Sequence, residues 1–449
     1  MQQPLVEMSD IAILGAGLSG LAASMRCKAP VFEAAGHTGG VAYSDTVDDF
    51  VFDRGIHVLN TKSTSFIEFL RGLGVDMAPV NRIAHIYSHG VYTAYPFQVN
   101  TARLPVPLRV RCTWDFIRRE SNPEPQNYEQ WMHRFLGRGF ANTFLVPYSE
   151  KFWGISPAEM TFDWTGTKVP VPSVGQVVRG AVWNKQTAIG SNALFHYPQN
   201  GPGYGTIADA LRARCGPVHT GHRATHIDPA QHTVRFENGH SVKYKVLLST
   251  IPLPQLVNII DGAPTEVVEA ASKLRANRIL VVNLGVNRPN ISEKHWIHFP
   301  EKDIAFFRLS FPHNFSPRCV PEGKSSVSVE VSCPPNETLD HEAITERVIT
   351  DLVKVGVMRS NDQIVARHTY DIKQAYCIYD RNRKASVNTI KKWLDTIDIV
   401  PAGRFGLWSY FWSDEAIKSG SNCAGKVMRR LGREVENHPF EEEEETAAA

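Results

Sequence analysis

The sequence predicts an α/β protein: a doubly wound domain carrying a mainly helical insert and a second, antiparallel-sheet domain. Three observations carry this. An apolar run, Ile11–Leu14, leads into Gly15-Ala16-Gly17-Leu18-Ser19-Gly20 and then the small-residue helix Leu21-Ala22-Ala23. Extended Val31-Phe32 follows and ends in Glu33. Further along, strand-like and helical runs alternate over 449 residues, enough for two to three structural units.

The first of these is a nucleotide-binding pattern with a physical basis. Gly15 permits a tight strand-to-helix turn, Gly17 lets backbone approach a pyrophosphate, and Gly20 lets the helix pack on the strand. The helix N-terminus, with Ser19 in its first turn, faces the phosphate charge. Glu33 lies where an acid grips a ribose hydroxyl. A GxGxxG motif alone is a weak signal; flanking strands and a following acid make it a dinucleotide site. Gly36-His37-Thr38-Gly39-Gly40 comes next. Its glycine pair lets backbone lie against a cofactor, although an ordinary turn would use the same residues. The combination resembles the FAD-binding superfamily of amine oxidases, protoporphyrinogen oxidases and UDP-galactopyranose mutases, and so implies FAD.

Bulk properties exclude several classes. The formal charge of +2 offers no basic field for nucleic acid. No stretch of eighteen apolar residues exists, so no membrane partner is expected. Met1–Asp10 lacks a signal-peptide pattern, which makes the cytoplasm the expected location. Seven scattered cysteines without CxxC spacing read as reduced thiols, with no metal site.

In chain order, Asp48–Asn60 reads as a hairpin whose second arm is Gly55–Leu59, and Thr64–Leu73 as a helix stopped by Gly74. Ile83–Tyr95 reads as a hairpin around His89-Gly90. Five positive charges between Thr101 and Arg119 read as a solvated helix face. Tyr128–Leu145 is helical and aromatic, and the proline-punctuated Lys168–Pro172 is extended chain. Asn238-Gly239 between Thr233–Phe236 and Val242–Tyr244 is a hairpin signal. Residues 278–286 and 325–332 read as strands, 341–356 and 414–432 as helices, and Glu441–Glu445 as a disordered tail. The resulting domains are 1–98, 198–265 and 399–436 for the FAD unit, 99–197 for the helical insert, 266–398 for the sheet-rich unit and 437–449 for the tail.

Several separated segments sharpen the resemblance. Lys151-Phe152-Trp153-Gly154 with Gly166–Pro170, Phe195-His196-Tyr197-Pro198 with Gly201, Trp296–Glu301 with Phe306-Phe307-Arg308, Asn314–Pro317 and Gly403–Tyr410 follow, in order, the motifs of UDP-galactopyranose mutases. The resemblance implies a non-redox reaction of a nucleotide-diphosphate sugar. In this family reduced FAD attacks the anomeric carbon through N5, the diphosphate leaves, and the flavin–sugar adduct opens and recloses, exchanging pyranose and furanose rings. The reductant is NAD(P)H in eukaryotic-type members and an external donor in bacterial ones.

By the same resemblance, Lys168, Arg308, Tyr376 and Tyr410 grip the diphosphate, Arg404 lies near the flavin, and Gly55-Ile56-His57 faces its ring. Each has a plainer reading. Tyr376 could be a packed strand aromatic, Arg308 half of a surface ion pair, Arg404 a loop arginine and His57 a core histidine. Phe152 and Trp153 stack on the base or simply fill core. His37 touches flavin or sits in an exposed loop.

Three positions depart from the family. Lys168 replaces an arginine and loses its planar fork. Ile56 replaces glycine or alanine, restricting a peptide flip. His298 replaces a tyrosine and would make phosphate contact depend on pH. These departures point to a nucleotide sugar other than UDP-galactose. Two rival readings are an FAD oxidoreductase of the amine-oxidase or desaturase type and a flavin-binding protein without mutase activity.

Overall fold

The computed structural model describes residues 6–119, 124–166, 169, 171–183 and 193–435. Lys168 and Pro170 of the Lys168–Pro172 segment and the acidic tail lie outside these residues.

The first sheet is drawn from three distant parts of the chain. Its centre is the strand Val6–Leu14, paired in parallel with Ser241–Ser249 on one side and Val31–Phe32 on the other. Val218–His219 extends one edge. On the far side, Ser241–Ser249 pairs first with Thr233–Phe236 and then, near its C-terminal end, with Ile399–Pro401. Alternation along the strands feeds two cores. Ile11, Ile13, Val246 and Leu248 pack under the helices Leu18–Cys27, Thr206–Arg212 and Ser413–Arg430. Ala12, Leu14 and Leu247 pack under Leu253–Asn258, Thr265–Ser272 and Arg383–Thr396. Helices on both faces of a largely parallel sheet make a doubly wound domain.

The second sheet has the order Ile364–Cys377, Ala276–Val286, Ser325–Cys333, Arg308–Ser310, Trp296–His298, Ala84–Ser88, Val91–Ala94. All pairs are antiparallel except Ala84–Ser88 with Trp296–His298. One face packs on the insert helices Val106–Ile117, Tyr128–Phe140 and Val146–Trp153, joined by a π-helical turn at Ala141–Leu145. The other packs on the helix His341–Lys354. No helix among the described residues is long and apolar enough to cross a membrane. All seven cysteines are free.

Some boundaries differ from those read in the sequence. The hairpin before the second sheet is Ser44–Val47 with Phe50–Asp53, one step earlier than expected. Gly55–Leu59 is no strand: Gly55 takes φ +90°, and only Leu59 bridges to His196. Ala84–Ala94, placed with the FAD unit by sequence, joins the second sheet. Arg383–Thr396, placed with the sheet-rich unit, packs on the first.

Candidate active site

The glycine turn is built as its spacing requires. Gly15 has φ +93°, and a Cβ on Gly20 would come within 1.8 Å of the Gly15 carbonyl oxygen. Gly39 donates to the Ala16 carbonyl at 2.8 Å, laying the glycine pair against the turn. A Cβ on Gly40 would stand 3.2 Å from the Gly17 Cα, while one on Gly17 meets nothing within 4 Å. The turn is thus closed by backbone on one side and open on the other. Glu33 braces it, accepting from Ala16 N at 2.7 Å and Ala35 N at 2.8 Å. Ser19 is buried beneath Gly403, where a Cβ would meet its Oγ at 2.3 Å. A turn lined by backbone, with a helix N-terminus at Gly17-Leu18 and a braced acid, fits a dinucleotide.

His37 is neither exposed nor free. Its Nε2 accepts from Arg54 at 3.1 Å, and its ring stacks on Tyr43 at 3.9 Å. Arg54, which the sequence did not single out, also grips Asp45 through two bonds and donates to Tyr370 Oη at 2.8 Å.

A cavity of about 280 Å³ lies between the sheets and the insert. Ile56, His57, Phe152, Trp153, His298, Arg308, Tyr376, Arg404 and Tyr410 all line it. Each comes from a different local cause. Arg308 opens its strand opposite both His298 and Glu330. The buried Glu330 takes the guanidinium in two bonds, through Nε and, at 2.9 Å, through Nη2. Burial opposes the charge on Arg308, but the Glu330 carboxylate holds its pKa well above the ordinary value. Tyr376 sits at an irregularity in the pairing of Ile364–Cys377 with Ala276–Val286. Asn277 fixes it there, accepting from Tyr376 N at 2.8 Å and donating to the Phe152 carbonyl at 2.7 Å.

Tyr376 and Tyr410 have ring centroids 5.5 Å apart, and the Arg404 guanidinium lies 5.4 Å from the Tyr376 ring. Arg404 Nε donates to the Phe411 carbonyl at 2.9 Å. Phe152 and Trp153 are buried and wedge against these tyrosines, Phe152 at 4.9 Å from Tyr376 and Trp153 at 5.9 Å from Tyr410. Burial raises the Tyr410 phenol well above its ordinary pKa, so it is a proton donor at neutral pH.

The two histidines are neutral. Burial, then Arg404 and Arg308, push His57 down to about 4. Its Nδ1 donates to the Gly55 carbonyl at 3.3 Å, leaving the Nε2 lone pair available. His298 is held well below its ordinary pKa by burial and by Arg308 and Arg82, and its Nδ1 contacts Tyr148 Oη at 2.9 Å. The expected pH-dependent charge on His298 near neutrality is therefore corrected: a buried imidazole between two guanidinium groups does not protonate there.

Sequence reasoning missed Glu330, Arg82, Tyr95, Tyr148 and Trp164. Glu330 left one trace, being the only charge in the strand Ser325–Cys333. Tyr148 left another, at i+4 spacing with Phe144 and Phe152. A further unread feature is Lys151, whose Nζ is ringed by the carbonyls of Phe299, Glu301, Ile304 and Phe306 at 2.6–3.1 Å. That cage ties the insert to the loop joining His298 to Arg308.

Comparison with known proteins agrees with this fold. Residues 18–376 match the family of flavin containing amine oxidoreductases. A Klebsiella pneumoniae protein described as a probable UDP-galactopyranose mutase is 26% identical over 164 residues, which is 34% of this chain and 42% of that one. A crystal structure of reduced UDP-galactopyranose mutase superimposes with a TM-score of 0.88 at 26% identity, covering 96% of this chain and 94% of the other. Putrescine oxidase with putrescine bound shares the fold, with a TM-score of 0.66 at 15% identity over 95% of this chain and 100% of its own. The chain belongs to the flavin containing amine oxidoreductase family and is a UDP-galactopyranose mutase-like FAD flavoprotein.

Proposed function

We propose that this protein is a flavin-dependent mutase that exchanges the pyranose and furanose rings of a nucleotide-diphosphate sugar, with no net redox change. The observation that carries the reading is the gathering of Arg308, Arg404, Tyr376, Tyr410 and a neutral His57 around one cavity. Gly15–Gly20, Glu33 and Gly39-Gly40 would hold reduced FAD, which would supply the nucleophile for the anomeric carbon. The side chains do the rest. A departing diphosphate carries about two negative charges and needs fixed cations and protonated donors in a dry site. Arg308, oriented by Glu330, and the phenols of Tyr376 and Tyr410 meet that need; Lys168 is proposed to add a further cation. The Nε2 lone pair of His57 accepts a proton from a sugar hydroxyl as the ring recloses. Phe152 and Trp153 exclude water.

The substrate is a nucleotide sugar other than UDP-galactose, a reading supported by Ile56 and His298 in the cavity wall. The reductant is NAD(P)H or an external donor. The test is incubation with a panel of nucleotide sugars, with and without dithionite, followed by chromatography and mass spectrometry. An isomer of unchanged mass that forms only after reduction is the expected result. Loss of two hydrogens in air would instead establish an oxidoreductase, the reading that the breadth of the family match favours as second. Exchange of UDP-galactose at a rate typical of the family would overturn the substrate assignment alone.

A further inference from the structure

Arg82 lines the same cavity but belongs to neither the phenol pair nor the flavin-facing loop. It follows the strand Met77–Asn81, and its guanidinium lies 4.7 Å from the centroid of the Tyr95 ring. Among the described residues no carboxylate pairs with it; Tyr95 is its electrostatic neighbour, and burial holds its pKa below the ordinary value. A partly buried arginine without a counter-charge, facing a cavity, is open to an anionic group of a ligand.

The cavity thus has two cationic poles. Arg308 and Arg404 lie with Tyr376 and His57. Arg82 lies beyond His298, which is paired with Arg308 across the strands and has its ring 5.4 Å from that of Tyr95. His298 is neutral and bridges no charge between them. A diphosphate carries its charge on the oxygens of two adjacent phosphates, and Arg308, Arg404 and the two phenols are assigned to it. The other is left for a second anionic group on the same ligand.

We propose that Arg82 is a specificity residue that binds a carboxylate on the sugar, so that the substrates are nucleotide-diphosphate-linked acidic sugars of the hexuronate type. This rests on the nucleotide-sugar reading above. Arginine offers the planar fork that a carboxylate takes in two bonds.

The experiment is calorimetric titration of the holoprotein with UDP, UDP-galactose and UDP-galacturonate, and with GDP, GDP-mannose and GDP-mannuronate. It is run on the wild type, Arg82→Gln and Arg82→Lys, with bound flavin absorbance and thermal midpoint as checks of folding. The wild type should bind a hexuronate about tenfold or more tighter than the matching hexose. Arg82→Gln should erase that preference while leaving the nucleoside diphosphate and hexose within about threefold of wild type. Arg82→Lys should retain part of the preference, and it carries the test if the glutamine variant does not fold. Equal binding of hexose and hexuronate by the wild type overturns the assignment. So does a loss in Arg82→Gln that is as large for the nucleoside diphosphate alone, which would place Arg82 at the diphosphate. If no nucleoside diphosphate binds at all, the nucleotide-sugar reading falls and this one with it.

Discussion

Glu330 and Arg308 form a buried ion pair that also sets the loop before His57. The Oε1 that accepts from Arg308 Nη2 also accepts from the backbone N–H of Ile56 at 3.3 Å. A Cβ on Gly55 would stand 2.7 Å from that same oxygen, so glycine is needed there for the acid to sit where it does.

Removing the acid strands the guanidinium. Glu330→Ala should destabilise the fold by about 3–5 kcal/mol, because a buried charge loses its partner. Urea unfolding measures this, and an unchanged midpoint would count against the pair as a structural element. Replacing both partners together, Arg308→Met with Glu330→Leu, should recover most of the stability while leaving nucleotide binding impaired.

The glycine turn can be tested through flavin content. Gly20→Ala forces a Cβ against the Gly15 carbonyl, a contact between two backbone segments with nowhere to move. The purified variant should lack the flavin absorbance of the wild type. Full FAD occupancy would show that the turn tolerates rearrangement.

The two phenols should act on the diphosphate. Tyr410→Phe removes one protonated donor without removing the ring that packs on Trp153. Affinity for a bound nucleoside diphosphate should fall about tenfold, the scale of one hydrogen bond to a charged group, with FAD content unchanged. Isothermal titration provides the comparison, and unaltered affinity would move the diphosphate elsewhere.

His57 should make stability depend on pH. Its folded pKa of about 4 lies below the ordinary 6.5. Between these values the unfolded chain binds the proton and the folded chain does not, so stability rises with pH. The contribution is complete above the unfolded value and is lost as the pH falls toward 4. His57→Asn should flatten this slope in the apoprotein by up to about 3 kcal/mol between the two limits. Chemical unfolding at several pH values would detect it; parallel curves for variant and wild type would refute it.

Lys151 offers a stability test away from the cavity. Lys151→Met leaves four buried carbonyls without their common donor and should cost about 3 kcal/mol or more. Thermal unfolding should shift down while FAD remains bound.

Local signals made the first domain legible. Gly15–Gly20, Glu33 and Asn238-Gly239 each impose their geometry within a few residues, and the structure places the turn and the Thr233–Ser249 hairpin accordingly. Gly55–Leu59 misled because its alternation resembles a strand, whereas the positive φ of Gly55 and the bond from Ile56 to Glu330 turn the chain so that only Leu59 finds a strand partner, at His196. Arg82 and Tyr95 carried no motif. They meet across the hairpin Ala84–Ser88 with Val91–Ala94, and the parallel pairing of Ala84–Ser88 with Trp296–His298 sets them beside His298, about two hundred residues away in the chain. His298 was visible as a substitution, but its neutrality depends on burial and then on Arg308 and Arg82, which distant parts of the chain bring beside it.

The packing at Ser19 makes the cofactor turn depend on distant parts of the chain. A Cβ on Gly403 would meet the Ser19 Oγ, and one on Gly420 would come within 1.9 Å of the Ser19 carbonyl oxygen. The cofactor turn is therefore clasped by two helices, Gly403–Gly406 and Ser413–Arg430, that lie far from it in the chain. A substitution at Gly403 or Gly420 thus reaches the cofactor turn without touching the glycine motif itself.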